Sequence, residues 1–356
     1  MPPSADFIPP SFTWSLWQSL KGTYTPKVTV PDAGLRGKWV LITGSNNGIG
    51  REAAIRFARS GANLVLACRQ PPSHETHPEQ VVEECRAAGG GHAEDQIVEW
   101  WECDMADLSS VQTLAQRWND TGRPLDILAN NAGIPSTNRH TATSKDGFEL
   151  CHQVNFLSHT LLTLSVLPSI AKAPSPRIVC TTSCLHYLGV YNLSNANTGV
   201  DAYANNKLYF QIWLTELQVR LLQHPDYAHI VVHGVHPGYV NSGIWARAQG
   251  LSLAAFMSDP IFWISKILVA WVGIDPHQGA LAIYNAATSH ECGMQSDGAD
   301  EFRGGAKYFN LTSENEPSPY TRDAASRKDV WEFIVGELGL GKKFHITPEL
   351  ERMVLD

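Results

Sequence analysis

The chain has 356 residues, 43% of them apolar and 17% charged, which excludes a largely disordered polypeptide and fits a folded protein with a large core. Its formal net charge of −8, with histidine neutral, argues against a nucleic-acid partner. Seven cysteines, an odd number with no C-x-x-C pair, read as buried thiols in a reducing, cytoplasmic setting.

Residues 1–34 are rich in proline and aromatics and show no clear period, so they are expected to lie on the domain as an arm. Their start, MPPSADFIPPSF, lacks the basic region and apolar run of a signal peptide. From Gly37 the pattern becomes regular. Trp39-Val40-Leu41-Ile42 suits a strand buried on both faces. A glycine cluster follows, then a helix over 51–59 closed by Ser60-Gly61. Asn63 to Cys68 reads as a strand, His77 to Ala88 as a helix stopped by three glycines, and Ile97 to Cys103 as a third strand. Helices are expected over 108–118, 148–170 and 203–222, with strands over 125–129, 177–182 and 230–235. Strands alternating with helices imply an α/β protein with a parallel sheet covered on both faces. With no internal repeat, one domain is expected over 35–340, followed by a tail over 341–356.

Three features carry chemistry. The first strand runs into Thr43-Gly44-Ser45-Asn46-Asn47-Gly48-Ile49-Gly50, whose glycines let the backbone turn sharply and approach a pyrophosphate at a helix N-terminus. The second strand ends in Cys68-Arg69-Gln70, with no carboxylate nearer than Glu75. A carboxylate there would bond the ribose hydroxyls of NAD, whereas an arginine pairs with a 2′-phosphate, so NADP(H) is expected ahead of NAD(H). Tyr203 and Lys207 stand four apart, one turn along a helix. A free tyrosine has a pKa of ~10, and a nearby ammonium is expected to lower it.

In these motifs the chain resembles the short-chain dehydrogenase/reductase family, and within it the retinol-dehydrogenase-like branch and its fungal secondary-metabolite relatives. Thr43-Gly44-x-x-x-Gly48-Ile49-Gly50, Asn130-Asn131-Ala132-Gly133, Ser183 at the end of Ile178–Ser183, and Tyr203-x-x-x-Lys207 match in order, as do Asp104 and His236-Pro237-Gly238-Tyr239-Val240-Asn241-Ser242. Ala67-Cys68-Arg69 and the late Gly305–Phe309 point to the branch. The resemblance implies a single-domain Rossmann-type, doubly wound sheet. It implies Ser183, Tyr203, Lys207 and Asn155 as catalytic residues. It implies a cofactor site made of the first glycine loop, Arg69, Asp104 and Met105, Asn131, Ala132 and Gly133, Tyr203 and Lys207, and Pro237, Gly238, Val240 and Ser242. The interval of 20 residues between Ser183 and Tyr203 exceeds that of many members, and Asn47 stands where some NADP enzymes carry a base.

The expected activity is NADP(H)-dependent interconversion of a carbonyl and an alcohol. Two alternatives use the same residues: a catalytically silent dinucleotide-binding scaffold, and a redox-neutral epimerase or dehydratase. By resemblance, residues 244–274 form a substrate lid. Its apolar side chains suggest a bulky terpenoid, polyketide, steroid or retinoid type of substrate, as in secondary metabolism. The alternative is that part of the segment rests on a membrane surface or a partner, but Asp259, Pro260 and Lys266 interrupt it, so it is not expected to span a membrane. The helices over 148–170 and 203–222 are apolar nearly all round, and a homodimer through them is expected. His186 and Tyr187 read equally as substrate wall or loop packing. His233 and His236 read as structural, without metal-ligand spacing.

Overall fold

The computed structural model describes residues 3–73, 75–92, 95–135, 142–198, 202–240, 273–295, 301–344, 351 and 353–354. Ser242 and the expected lid, apart from Gly273 and Ile274, lie outside these residues. Helix α1 (Phe12–Lys21) is followed by β1 (Trp39–Thr43), α2 (Gly48–Arg59), β2 (Asn63–Cys68), α3 (Pro78–Gly89), β3 (Val98–Glu102), α4 (Leu108–Asp120) and β4 (Ile127–Asn130). Then come α5 (Leu150–His152), a π-turn (Gln153–Leu157), α6 (Ser158–Ile170), β5 (Arg177–Thr181), α7 (Ala202–Gln223) and β6 (Val231–His236). Helix α8 (Pro276–Thr288), strands β7 (Tyr308–Asn310) and β8 (Ser313–Asn315), and α9 (Ala324–Leu338) complete the order.

The sheet runs β3-β2-β1-β4-β5-β6-β7-β8, parallel up to β7, with β8 antiparallel at the edge. Strands β1, β2, β4, β5 and β6 are buried along their whole length, yet their side chains still alternate between two faces. Leu41, Val65, Leu128 and Ile178 enter the core under α4, α6, α7 and α9. Val40, Ile42, Leu64 and Leu66 enter the core under α2, α3 and α8. The chain order reverses between β1 and β4. In open α/β sheets, ligands bind outside the strand C-termini at such a point.

Among the described residues, two elements differ from those expected. The arm contains a true helix, α1, capped by Ser11, whose side chain accepts from Trp14 N–H. The helix expected over 148–170 is interrupted by the π-turn, a feature frequent at functional sites. The apolar faces that suggested a second copy are covered within one chain. Helix α6 packs against α4, and α9 lies on α7, where Trp331 stacks on Trp213 with centroids 5.9 Å apart. Val330, Ile334 and Leu338 of α9 join the same core as Leu214, Leu217 and Leu221 of α7. Burial of α7 therefore needs no partner chain. Trp331→Ala should cost about 3–5 kcal/mol, read as a lower urea midpoint with the slope unchanged.

Candidate active site

The first glycine loop and the end of β4 are built as one unit. Gly44 has φ +66°, and a Cβ there would fall 2.8 Å from Ala132 Cα. A Cβ on Gly50 would fall 2.3 Å from Gly44 O and 2.5 Å from Asn131 Nδ2. Asn131 Nδ2 donates to Thr43 O at 3.0 Å, and the Asn131 and Ala132 N–H groups donate to Thr43 Oγ1 at 2.9 and 3.0 Å. Asn131 thus ties the loop down while also facing the cavity, with Ala132 and Gly133 beside it. Helix α2 starts inside the motif, three residues earlier than expected. Its N-cap, Asn47, makes no side-chain cap bond, whereas His77, Asp107, Asp275 and Asp323 cap α3, α4, α8 and α9. The first N–H groups of α2 are thus left to an anion such as a pyrophosphate.

The cavity has a volume of about 650 Å³ and runs from this loop to Tyr203. Gly44, Asn46, Asn47, Gly48, Ile49 and Gly50 line it. Ser45 belongs to the loop but is fully buried, and its hydroxyl lies 3.9 Å from Cys68 Sγ, so it supports the loop from behind. Asp104 and Met105 wall the side beside β3. Asp104 Oδ1 accepts from Ala106 N–H at 2.9 Å, and Met105 O accepts from Ser158 Oγ at 2.6 Å. At the far end Arg69 lines the wall, but not alone. The chain turns at Pro71-Pro72 and brings Glu75 back, where its carboxylate takes Arg69 Nη2 at 3.1 Å and Asn46 Nδ2 at 3.4 Å. The sequence places no acid closer than Glu75, and the fold brings that carboxylate to the cavity wall beside Arg69. The signal in the sequence is the two-proline turn at Pro71-Pro72, with an acid six residues beyond Arg69.

At the other end Ser183, Tyr203 and Lys207 share the cavity wall. Ser183 follows β5 and caps the short turn Cys184–Leu188, its Oγ accepting from Leu185 N–H at 3.2 Å. The Lys207 ammonium donates to Thr181 O at 2.6 Å and lies 5.6 Å from the centre of the Tyr203 ring. Sequence offers no sign of the Thr181 contact, because the acceptor is a backbone carbonyl. Burial pushes the Tyr203 phenol above its ordinary pKa, and the neighbouring Cys151 thiol adds to this, while a hydrogen bond with Ser183 acts the other way. Burial also lowers Lys207 to about 8. The expected lowering of Tyr203 by Lys207 is therefore not produced by the protein alone, because loss of water outweighs it.

Asn155 sits in the π-turn, fully buried. Its Oδ1 accepts from Ile134 N–H at 2.8 Å, and its Nδ2 donates to Ile134 O at 2.9 Å and to Cys151 Sγ at 3.1 Å. It positions the segment after Gly133 and does not itself line the cavity. Pro237, Gly238 and Val240 do line it, as does Ile49. They are drawn in by Gly279 of α8, where a Cβ would fall 2.6 Å from Val240 Cγ2. The wall also holds Ile134, Leu150, Cys151 and Val154, an apolar group absent from the residues expected from sequence, alongside the polar Glu149, Thr181 and Thr182. His186 and Tyr187 are loop packing. His186 Nδ1 donates to Ser183 O at 2.6 Å while Nε2 accepts from Ser318 N–H, and Tyr187 donates to Glu316 O. His233 and His236 bond the carbonyls of Cys292 and Gly22, and burial lowers each to about 4. All seven cysteines are buried free thiols.

The sequence model of the short chain dehydrogenase family matches residues 38–250. The chain belongs to that family. It is 29% identical to human retinol dehydrogenase 13 over 87% of this chain and 86% of that protein. It is 30% identical to mouse retinol dehydrogenase 14 over 87% of this chain and 89% of that protein, and 29% identical to mouse polyprenol dehydrogenase over 89% and 87%. A crystal structure of an uncharacterized protein from Mycobacterium paratuberculosis superposes with a TM-score of 0.59 at 25% identity, covering 88% of this chain and 98% of that one. The family is an oxidoreductase family using a nicotinamide dinucleotide, and it accounts for the Rossmann-like sheet.

The depressed Lys207 pKa has a measurable sign. Folding disfavours the ammonium, so the folded protein binds fewer protons than the unfolded chain between pH about 8 and the ordinary lysine value of ~10.4, and stability rises with pH there. The wild type should gain about 2 kcal/mol relative to Lys207→Met between pH 7 and pH 9.5, read from urea unfolding of both proteins.

Proposed function

We propose that this protein interconverts a carbonyl and an alcohol on a bulky apolar substrate, using NADP(H) ahead of NAD(H). The observation that carries the reading is the placement of Ser183, Tyr203 and Lys207 on one cavity with the uncapped α2 terminus. When bound, the nicotinamide supplies the hydride and, in its oxidised form, a positive charge that favours the phenolate. Tyr203 moves the proton at the substrate oxygen. Burial keeps its phenol protonated, which suits donation to a carbonyl under reduction. The Ser183 hydroxyl holds the same oxygen and polarises it. Lys207, anchored on Thr181 O, sits under the tyrosine ring and keeps a positive charge near the developing phenolate.

The apolar wall around Cys151 and Val154 supports a large hydrophobic substrate, of the terpenoid, polyketide, steroid or retinoid type. The names of the retinol and polyprenol dehydrogenases point the same way. The buried free thiols support a reducing compartment such as the cytoplasm.

Turnover is tested with apolar ketones, aldehydes and alcohols against all four nicotinamide forms, followed at the reduced-cofactor absorbance band. Tyr203→Phe should lower kcat by at least about a hundredfold while dinucleotide affinity changes little. Unchanged turnover in that variant would refute the assigned role. A silent binding protein would hold the dinucleotide and show no absorbance change with any substrate.

Cofactor choice rests on Arg69 and Glu75 together. Arg69 supports a 2′-phosphate, but Glu75 already occupies its guanidinium and would repel that phosphate. Glu75→Gln should therefore raise the affinity for NADP(H) relative to NAD(H) by roughly tenfold, equivalent to about 1.4 kcal/mol, measured by calorimetric titration.

A further inference from the structure

The N-terminal helix turns its polar side inward. α1 buries Ser15 and Ser19, while Phe12, Leu16, Trp17 and Leu20 are 73, 39, 60 and 48% exposed. Ile8 before it and Tyr24 after it are 84 and 75% exposed. These six are most of the eight large apolar side chains exposed among the described residues, so the patch is concentrated, not scattered. Positions 12, 16 and 20 form one helical stripe, with Trp17 beside it.

The helix is firmly attached. Trp14 meets Tyr187 edge-on at 5.7 Å, and Gly22 O accepts from His236 Nε2 at 3.3 Å. Gly22 lies so close to the turn after Ser183 that a Cβ would fall 2.4 Å from Cys184 Cβ. Upstream, Phe7 packs on Tyr320 at 4.8 Å, and Ser4 N–H donates to Asp323 at 3.3 Å. The stripe is therefore held in place over the active-site turn.

Its charge is equally distinctive. Residues 7–31 contain Lys21 and Lys27 and no aspartate or glutamate, in a chain of net charge −8. Both lysines are exposed, and the Lys21 ammonium lies 5.8 Å from the Trp17 ring centre. Tryptophan, phenylalanine and leucine on one face, with lysines at its edge, suit a helix lying in a lipid headgroup layer. Ten residues rise only about 15 Å, half the hydrocarbon core, so the helix is too short to span it.

We propose that α1 is an interfacial helix that docks face-on to an anionic lipid surface. Phe12, Leu16, Trp17 and Leu20 enter the leaflet, and Lys21 and Lys27 meet lipid phosphates. The Ser183 turn is thereby held against the membrane. The apolar-substrate reading gives this placement a use, since a lipid-dissolved molecule would reach the cavity without crossing water. The docking itself does not depend on that reading.

The test is flotation of the full-length protein with phosphatidylcholine vesicles containing about one third phosphatidylserine. Wild type should float with these vesicles, and less so at high salt. The double variant Leu16→Glu, Leu20→Glu alters only exposed positions. It should lose roughly tenfold in bound fraction at unchanged Tm and unchanged dinucleotide affinity. Lys21→Glu with Lys27→Glu should lose the preference for phosphatidylserine. The proposal is overturned if wild type stays out of the vesicles, or if the leucine variant floats as well as wild type, which would locate binding elsewhere in the chain. It is also overturned if neither protein floats and sedimentation shows a dimer that the leucine variant dissociates, which would make a second copy the partner of the stripe. Each of these readouts is independent of turnover.

Discussion

The site depends on one close approach, that of the first glycine loop to the end of β4. Gly44 lies against Ala132, Gly50 against the Gly44 carbonyl and Asn131, and three N–H groups of Asn131 and Ala132 converge on Thr43. No side chain fits between these backbones. The loop is thereby fixed at the point where the strand order reverses, and the crevice there opens toward β5 and α7. Ser183 after β5 and Tyr203 at the start of α7 then share its wall, because the turn that follows Ser183 packs on α7. The motif glycines and Tyr203, far apart in the chain, line one cavity as parts of one geometric solution.

Burial is the second constraint, and it acts on the chemistry directly. Lys207 is 3% exposed and held by a backbone carbonyl, so its charge is costly to keep. The phenol of Tyr203 is driven the opposite way by the same loss of water. The pair leaves the protein with a protonated tyrosine and a lysine that titrates near neutral pH.

Much of the fold was legible from periodicity. The first six strands and the helices between them follow apolar runs and glycine stops, with ends displaced by a few residues. Helix α1 was missed although positions 12, 16 and 20 have helical spacing. Pro9 and Pro10 before it, and extra tryptophans at 14 and 17, blur that stripe in a linear reading. The π-turn at 153–157 has no composition signal. The burial of α7 by α9 was also hidden, because contact between residues more than 100 apart leaves no local pattern.

By itself the sequence determined the family and its motifs: a glycine loop after a strand, a serine, a tyrosine and a lysine in order, and a parallel α/β order. These are local patterns, set by backbone conformation and by side chains a turn apart. Only the tertiary structure decided what surrounds them. It returned Glu75 to Arg69, set the Thr181 carbonyl under Lys207, moved Ser45 and Asn155 behind the cavity wall, and turned the apolar face of α1 outward. Each of these depends on which segments are neighbours in space. That is settled by packing of the whole core, a property no single stretch of chain contains.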